Sequence, residues 1–224
     1  METKSSGHYE LIDKKSIQLI ATCALICIYL FIILIISLHF LPTGYDPLRS
    51  PTSEYAVGNY GYLMSTAFVF MSAGCFALLV GLYKGISSSS RSKAGLTLLG
   101  IWAIGCLIAL TFPIAPEGTL SNMADKIHRT NGPITFLCLT LGTNFISLSF
   151  RRDENWRSIY RSALTLSIIM LLIFVSVIIN FSGGLRLEGM LQRIYLTIFS
   201  MWFIIIALHL RKIGTHFYDK TKLS

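Results

Sequence analysis

Apolar residues in this chain gather into six long runs, at positions 17–41, 60–83, 94–112, 134–150, 162–181 and 190–210, and polar residues fall mostly between them. Each run is close to the roughly 20 residues that a helix needs to cross a hydrocarbon core of about 30 Å. Lipid offers a backbone no water to bond. Runs of this length are therefore predicted to be helices, which pair their own amides and carbonyls. The short alternating segments of a β-barrel are not seen. The pattern predicts an all-α polytopic membrane protein, with six transmembrane helices in one bundle over residues 17–212, a polar segment 1–16 and a tail 213–224. The connections leave no room for a separate soluble domain. The first run, of about 25 residues, exceeds the h-region of a cleavable signal and is expected to be retained as a helix.

Charge turns this pattern into a topology. The formal net charge is +8, which in another setting would raise nucleic-acid binding. Its distribution argues for membrane orientation and against a nucleic-acid partner. With the N-terminus inside, the inner segments hold 14 basic residues: Lys4, Lys14 and Lys15; Lys84, Arg91 and Lys93; Arg151, Arg152, Arg157 and Arg161; Arg211, Lys212, Lys220 and Lys222. The outer segments hold five, Arg49, Lys126, Arg129, Arg186 and Arg193. This split predicts both termini in the cytoplasm and allows contact with anionic membrane lipids. The five cysteines, Cys23, Cys27, Cys75, Cys106 and Cys138, all fall inside runs and are expected to pack as small hydrophobes.

The connections differ in kind. On the inner side, 84–93 with its serines at 87–90 reads as a short flexible link, and 151–161 as a basic segment whose Trp156 and Tyr160 lie at headgroup level. The outer connections are punctuated by Pro and Gly and carry Asp46, Glu54, Glu117, Asp125 and Glu188, five of the eleven acidic residues. Ser53 or a neighbour is expected to cap a short interfacial helix entering the second span. Ala73, Ala77 and Gly81 form a small-residue row on the second helix, and Gly95, Gly100 and Gly105 thin the third, as close helix contact in lipid requires.

The span centres carry no Asp, Glu, Lys or Arg, which argues against a proton-coupled pump. Asn144 is the strongest polar group there and is read as an interhelical hydrogen bond. The connections show no inverted repeat. His8, His39, His128, His209 and His216 are not paired at two depths as a dihaem bundle needs. His39 and His128 with Asp46, Glu54, Glu117 or Asp125 make a conceivable metal set, but no close-spaced ligand signature is present, so no cofactor is expected. Ser50–Pro51–Thr52–Ser53–Glu54 sets hydroxyls beside a carboxylate without a nucleophile motif.

The outer end of the last span holds Arg186, Glu188, Gln192 and Arg193. Arg193 there either snorkels to water or turns inward to pair with Glu54, Asp125 or Glu188, and its planar fork suits a phosphate or carboxylate. With His128, which titrates near neutral pH, it suggests a small anionic ligand or a lipid headgroup.

Several of these outer features, taken in order, carry a resemblance. They are Gly44–Tyr45–Asp46–Pro47, Ser53–Glu54–Tyr55 leading into the second helix, Phe112–Pro113 closing the third, a single His128 before the fourth, and Gly183–Gly184 followed by Gln192–Arg193. Over about residues 17–212 the chain resembles a family of six-helix prokaryotic membrane proteins called domain of unknown function 998. The resemblance implies six helices and a multi-pass location in a prokaryotic cell membrane, and it supplies no reaction. The resulting expectation is a polar site at the outer interface built from Asp46, Ser53, Glu54, His128, Gln192 and Arg193. It would bind a lipid headgroup or a small anionic metabolite. Two alternatives stand beside it. One is an enzyme acting on a lipid or isoprenoid with His128 as acid or base. The other is a non-catalytic subunit whose small-residue faces meet a partner helix.

Overall fold

The computed structural model describes residues 3–116, 119–183 and 186–220, with side chains described for 15–116, 119–180 and 186–215. Six long helices make up the chain: α1 (Thr3–Phe40), α2 (Gly61–Gly85), α3 (Lys93–Thr111), α4 (Met123–Ser149), α5 (Tyr160–Gly183) and α6 (Glu188–Lys220). All six are long and apolar enough to cross a membrane, and no strand occurs among the described residues. Short 3-10 turns at Thr52–Ala56, Phe150–Arg152 and Arg157–Ile159 lie in the connections.

The helices stand in a ring in chain order. Each packs against the next, and α6 closes the ring on α1, with a lesser contact to α2. Glycine sets how near they come. A Cβ on Gly95 of α3 would lie 2.8 Å from Ile146 Cγ1, 3.0 Å from Ile146 N and 3.1 Å from Gly142 O, so α3 and α4 meet backbone to backbone. On α2 the expected row holds in part. Gly81 faces Leu210 of α6 and Ile20 of α1, and Ala77 packs against the core, but Ala73 is exposed and Gly74 makes the close approach to Cys27 of α1 instead.

Polar side chains then fix the register. Asn144 Nδ2 donates to Ser167 O at 3.0 Å and Ser167 Oγ donates to Asn144 Oδ1 at 3.2 Å, joining α4 to α5 as expected. Thr140 Oγ1 and Tyr195 Oη lie 2.7 Å apart, and Trp202 Nε1 donates to Ser147 Oγ at 2.9 Å, joining α4 to α6. Such bonds act as glue between helices in lipid. Around them Trp102, Phe136, Tyr195, Phe199 and Phe203 fill the middle of the ring, with Trp102 and Phe136 edge to face at 5.0 Å.

The end where α1 starts and α6 finishes is more ordered than its sequence implies. Trp156 does not face outward toward headgroups. It is fully buried, stacks on Phe150 at 4.5 Å and donates from Nε1 to Gly85 O at 2.8 Å. Its indole finds a protein acceptor where α2 ends, which removes the reason to face headgroups. Nor is 84–93 a loose link. Ser87 N donates to buried Asp153 Oδ2 at 2.8 Å, and Ser90 Oγ donates to Arg152 O at 3.0 Å. His209 Nε2 bonds Asn155 O at 2.7 Å, so the last helix is tied to the same cluster.

Candidate functional site

The opposite end of the ring, called here the loop end, is covered by the connection between α1 and α2. Gly44 and Gly58 take φ values of +79° and +94°, a region open to glycine at no steric cost. Between them the chain forms the 3-10 turn Thr52–Ala56. Its N-cap is Pro51 with no side-chain cap bond, so Ser53 does not cap it. Proline already sets the backbone there.

The first turns of α6 hold this loop down. Gln192 Oε1 accepts from Thr52 N at 2.6 Å and from Thr52 Oγ1 at 3.0 Å. Met190 N donates to Leu48 O at 3.0 Å. Arg193 donates from Nε to His39 Nε2 at 2.7 Å, from Nη1 to Ser50 O at 2.8 Å and Gly189 O at 2.9 Å, and from Nη2 to Tyr55 Oη at 2.9 Å. His39 accepts at Nε2 and therefore carries its proton on Nδ1, which meets Ile35 O at 2.7 Å. Arg193 thus neither snorkels freely nor pairs with Glu54, Asp125 or Glu188. Among the described residues no carboxylate lies within ion-pair distance of it. Gly189 is required here, because a Cβ would come 2.5 Å from Ser50 O and 2.6 Å from Pro47 O.

Beneath the loop the ring encloses a cavity of about 450 Å³, within the roughly 300–1,000 Å³ usual for small-molecule sites. Most of its wall is apolar. Phe31, Phe68, Met71, Trp102, Phe136, Phe174, Tyr195 and Leu196 line it, so every helix contributes. Small residues of α3, Cys106 and Ala109, belong to the lining, as does Gly105, whose missing side chain lets Thr135 and Asn131 of α4 come close. Polar residues gather at the loop end of the lining: Thr52, Ser53, His128, Asn131, Glu188 and Gln192.

His128 is buried and meets Phe112 O through Nδ1 at 2.9 Å. A carbonyl only accepts, so Nδ1 bears a proton, and among the described residues Nε2 has no protein partner. Asn131 Nδ2 donates to Gly105 O at 2.9 Å. Asp125 is buried beside the cavity and accepts from Ala115 N at 2.9 Å, Ser121 Oγ at 2.7 Å and Arg129 Nε at 2.9 Å. Asn122 caps α4 by accepting from Asp125 N at 3.0 Å. These bonds start α4 at Met123, so the segment expected as loop up to Pro133 is helical.

Only three lining residues are solvent-exposed in the isolated chain: Arg129, Pro133 and Ile178. All three belong to α4 or α5, so the exposed edge of the lining falls on that side of the ring.

Of the residues singled out from sequence, Ser53, His128 and Gln192 line this cavity. Arg193 holds the loop, Asp46 accepts from Leu48 N at 2.9 Å on the exposed side of it, and Glu54 lies in the 3-10 turn. His39 and His128 bond separate partners, and no group of three or more potential metal ligands occurs among the described residues. Glu117 and Gly184 lie outside the described residues, as do the side chains of His8 and His216. Sequence reasoning passed over Asn131, Tyr55 and Gly189. Asn131 and Tyr55 lie in segments already read as polar, whereas Gly189 left no signal.

The fold defines a multi-pass membrane protein with an internal cavity among its helices. The chain belongs to the family described as protein of unknown function DUF998, whose model matches residues 25–209. No curated protein and no solved structure matches the chain.

Proposed function

We propose that the protein binds a membrane amphiphile, its polar head among Ser53, His128, Glu188 and Gln192 and its apolar chain passing out between α4 and α5. The observation that carries this reading is the lining. It has polar groups at one end, apolar walls below and an exposed edge on the α4 and α5 side, which serves as the mouth in this reading. Such a chamber has the shape of a molecule that is itself polar at one end. The loop end faces the extracytoplasmic side of a prokaryotic cytoplasmic membrane in this reading, supported by the excess of Lys and Arg in the segments at the other end. Membrane lipids are then both solvent and ligand source. Arg193 and Asp46 serve by shaping the loop that roofs the chamber.

A second reading rests on His128. A proton is fixed on Nδ1, and in the neutral ring the Nε2 lone pair is left without a protein partner beside the cavity, which is the state a general base needs. Binding comes first in either case.

Native mass spectrometry of the purified protein tests both. The wild type is expected to carry an amphiphile, and Val177→Trp, which narrows the mouth, is expected to lose it while keeping its helical circular dichroism and a cooperative unfolding transition. His128→Asn keeps the donation to Phe112 O and removes the base. An altered amphiphile bound to wild type but intact in this variant marks turnover. An unliganded wild type, or a Val177→Trp protein that retains the same molecule, overturns the proposal.

A further inference from the structure

Resting on the amphiphile reading, we infer that the head selected by this cavity is an ammonium, a hydrogen-bond-donating cation, in preference to a phosphate or carboxylate. The polar lining decides this by what is already spent. Arg193 commits Nε, Nη1 and Nη2 to His39, Ser50, Gly189 and Tyr55. Arg129, at the mouth, is paired with Asp125. Arg193 keeps its positive charge, but its donors are spent on the loop and it is not among the residues that line the cavity. Glu188 lines the cavity, and among the described residues no cation lies within ion-pair distance of its carboxylate. Within the lining it is the charged residue without an ion pair.

Hydrogen-bond capacity points the same way. In its neutral form His128 offers a bare Nε2 acceptor, and a carboxylate offers acceptors only. Trp102, Phe136, Phe174 and Tyr195 add aromatic rings to the lining, and aromatic rings attract a cation. An ammonium brings three donors and one positive charge, which match the bare His128 nitrogen, the Glu188 carboxylate and the aromatic wall, although Gln192 Nε2 and Trp102 Nε1 are donors in the same lining. A phosphate brings acceptors and more negative charge into apolar walls, where repulsion is poorly screened.

The test uses the intact protein in nanodiscs of phosphatidylglycerol with three single-chain probes of equal tail length: dodecylamine, dodecanol and dodecyl phosphate. Binding is read by ligand-induced shift of the unfolding midpoint and by titration. Dodecylamine is expected to bind at least about tenfold more tightly than dodecyl phosphate, and Glu188→Gln is expected to abolish that preference while leaving dodecanol unchanged. If the phosphate binds more tightly, or Glu188→Gln leaves the preference intact, the head-class inference fails and the amphiphile reading stands. If none of the three binds, both fall. Nanodiscs containing phosphatidylethanolamine separate the sources. Competition with dodecylamine assigns a membrane aminolipid, and its absence assigns a free lipophilic amine, the ammonium preference holding either way.

Discussion

Arg193 shows how one side chain can organise a loop at the end of a membrane helix. Its guanidinium fork reaches a histidine nitrogen, two backbone carbonyls and a phenol on three separate segments. Bonds to a charged donor contribute about 1.5–3 kcal/mol each when intact, and the carbonyls of Ser50 and Gly189 lose a partner without it. Arg193→Ala is expected to destabilise the protein by about 3 kcal/mol in thermal unfolding, and to raise protease cleavage within 41–60. Arg193→Lys recovers only part of the loss, since a single ammonium cannot span the fork. The sequence marks Arg193, Gln192 and His128 plainly, because polar groups at the ends of apolar runs stand out. Their partners are not legible. Two of Arg193's acceptors are backbone carbonyls, which exist at every residue, and a third, His39, is 154 positions away. The cavity leaves no mark either, because its lining is drawn from all six helices and depends on how their side chains fall against one another.

At the scale of elements the apolar runs and the helices agree closely for α2 and α3 and diverge at α4. The run predicts a start at 134 because Gly132–Pro133 reads as a break, yet the helix begins at Met123 with Pro133 inside it. Asn122 and Asp125 supply the end bonds that a helix needs, and Thr135 Oγ1, donating to Asn131 O at 2.8 Å and Gly132 O at 3.1 Å, reinforces the turn around the proline. Hydropathy sees none of this, since those residues are polar. Helix contact is half legible in the same way. Small residues announce that helices approach, but the face depends on which neighbours arrive. Gly95→Leu is expected to cost about 1–3 kcal/mol through overpacking against α4, whereas Ala73→Leu, exposed on α2, is expected to leave the unfolding midpoint unchanged. Equal effects of the two would refute the packing described for α2 and α3.

For the whole molecule the governing fact is that the ring closes in chain order and that the last helix supplies Gln192 and Arg193, which hold down the first loop. Helices enter a membrane as they are synthesised, the earliest first. Five of the six can therefore be in place while the loop over the chamber still lacks its anchor and α1 still lacks one neighbour. A chain stopped before α6 is expected to expose 41–60 to externally added protease, which the full chain resists. Insertion of α6 is then the event that fastens the loop across the end of the ring. Until that moment the nascent protein is an open trough of five helices.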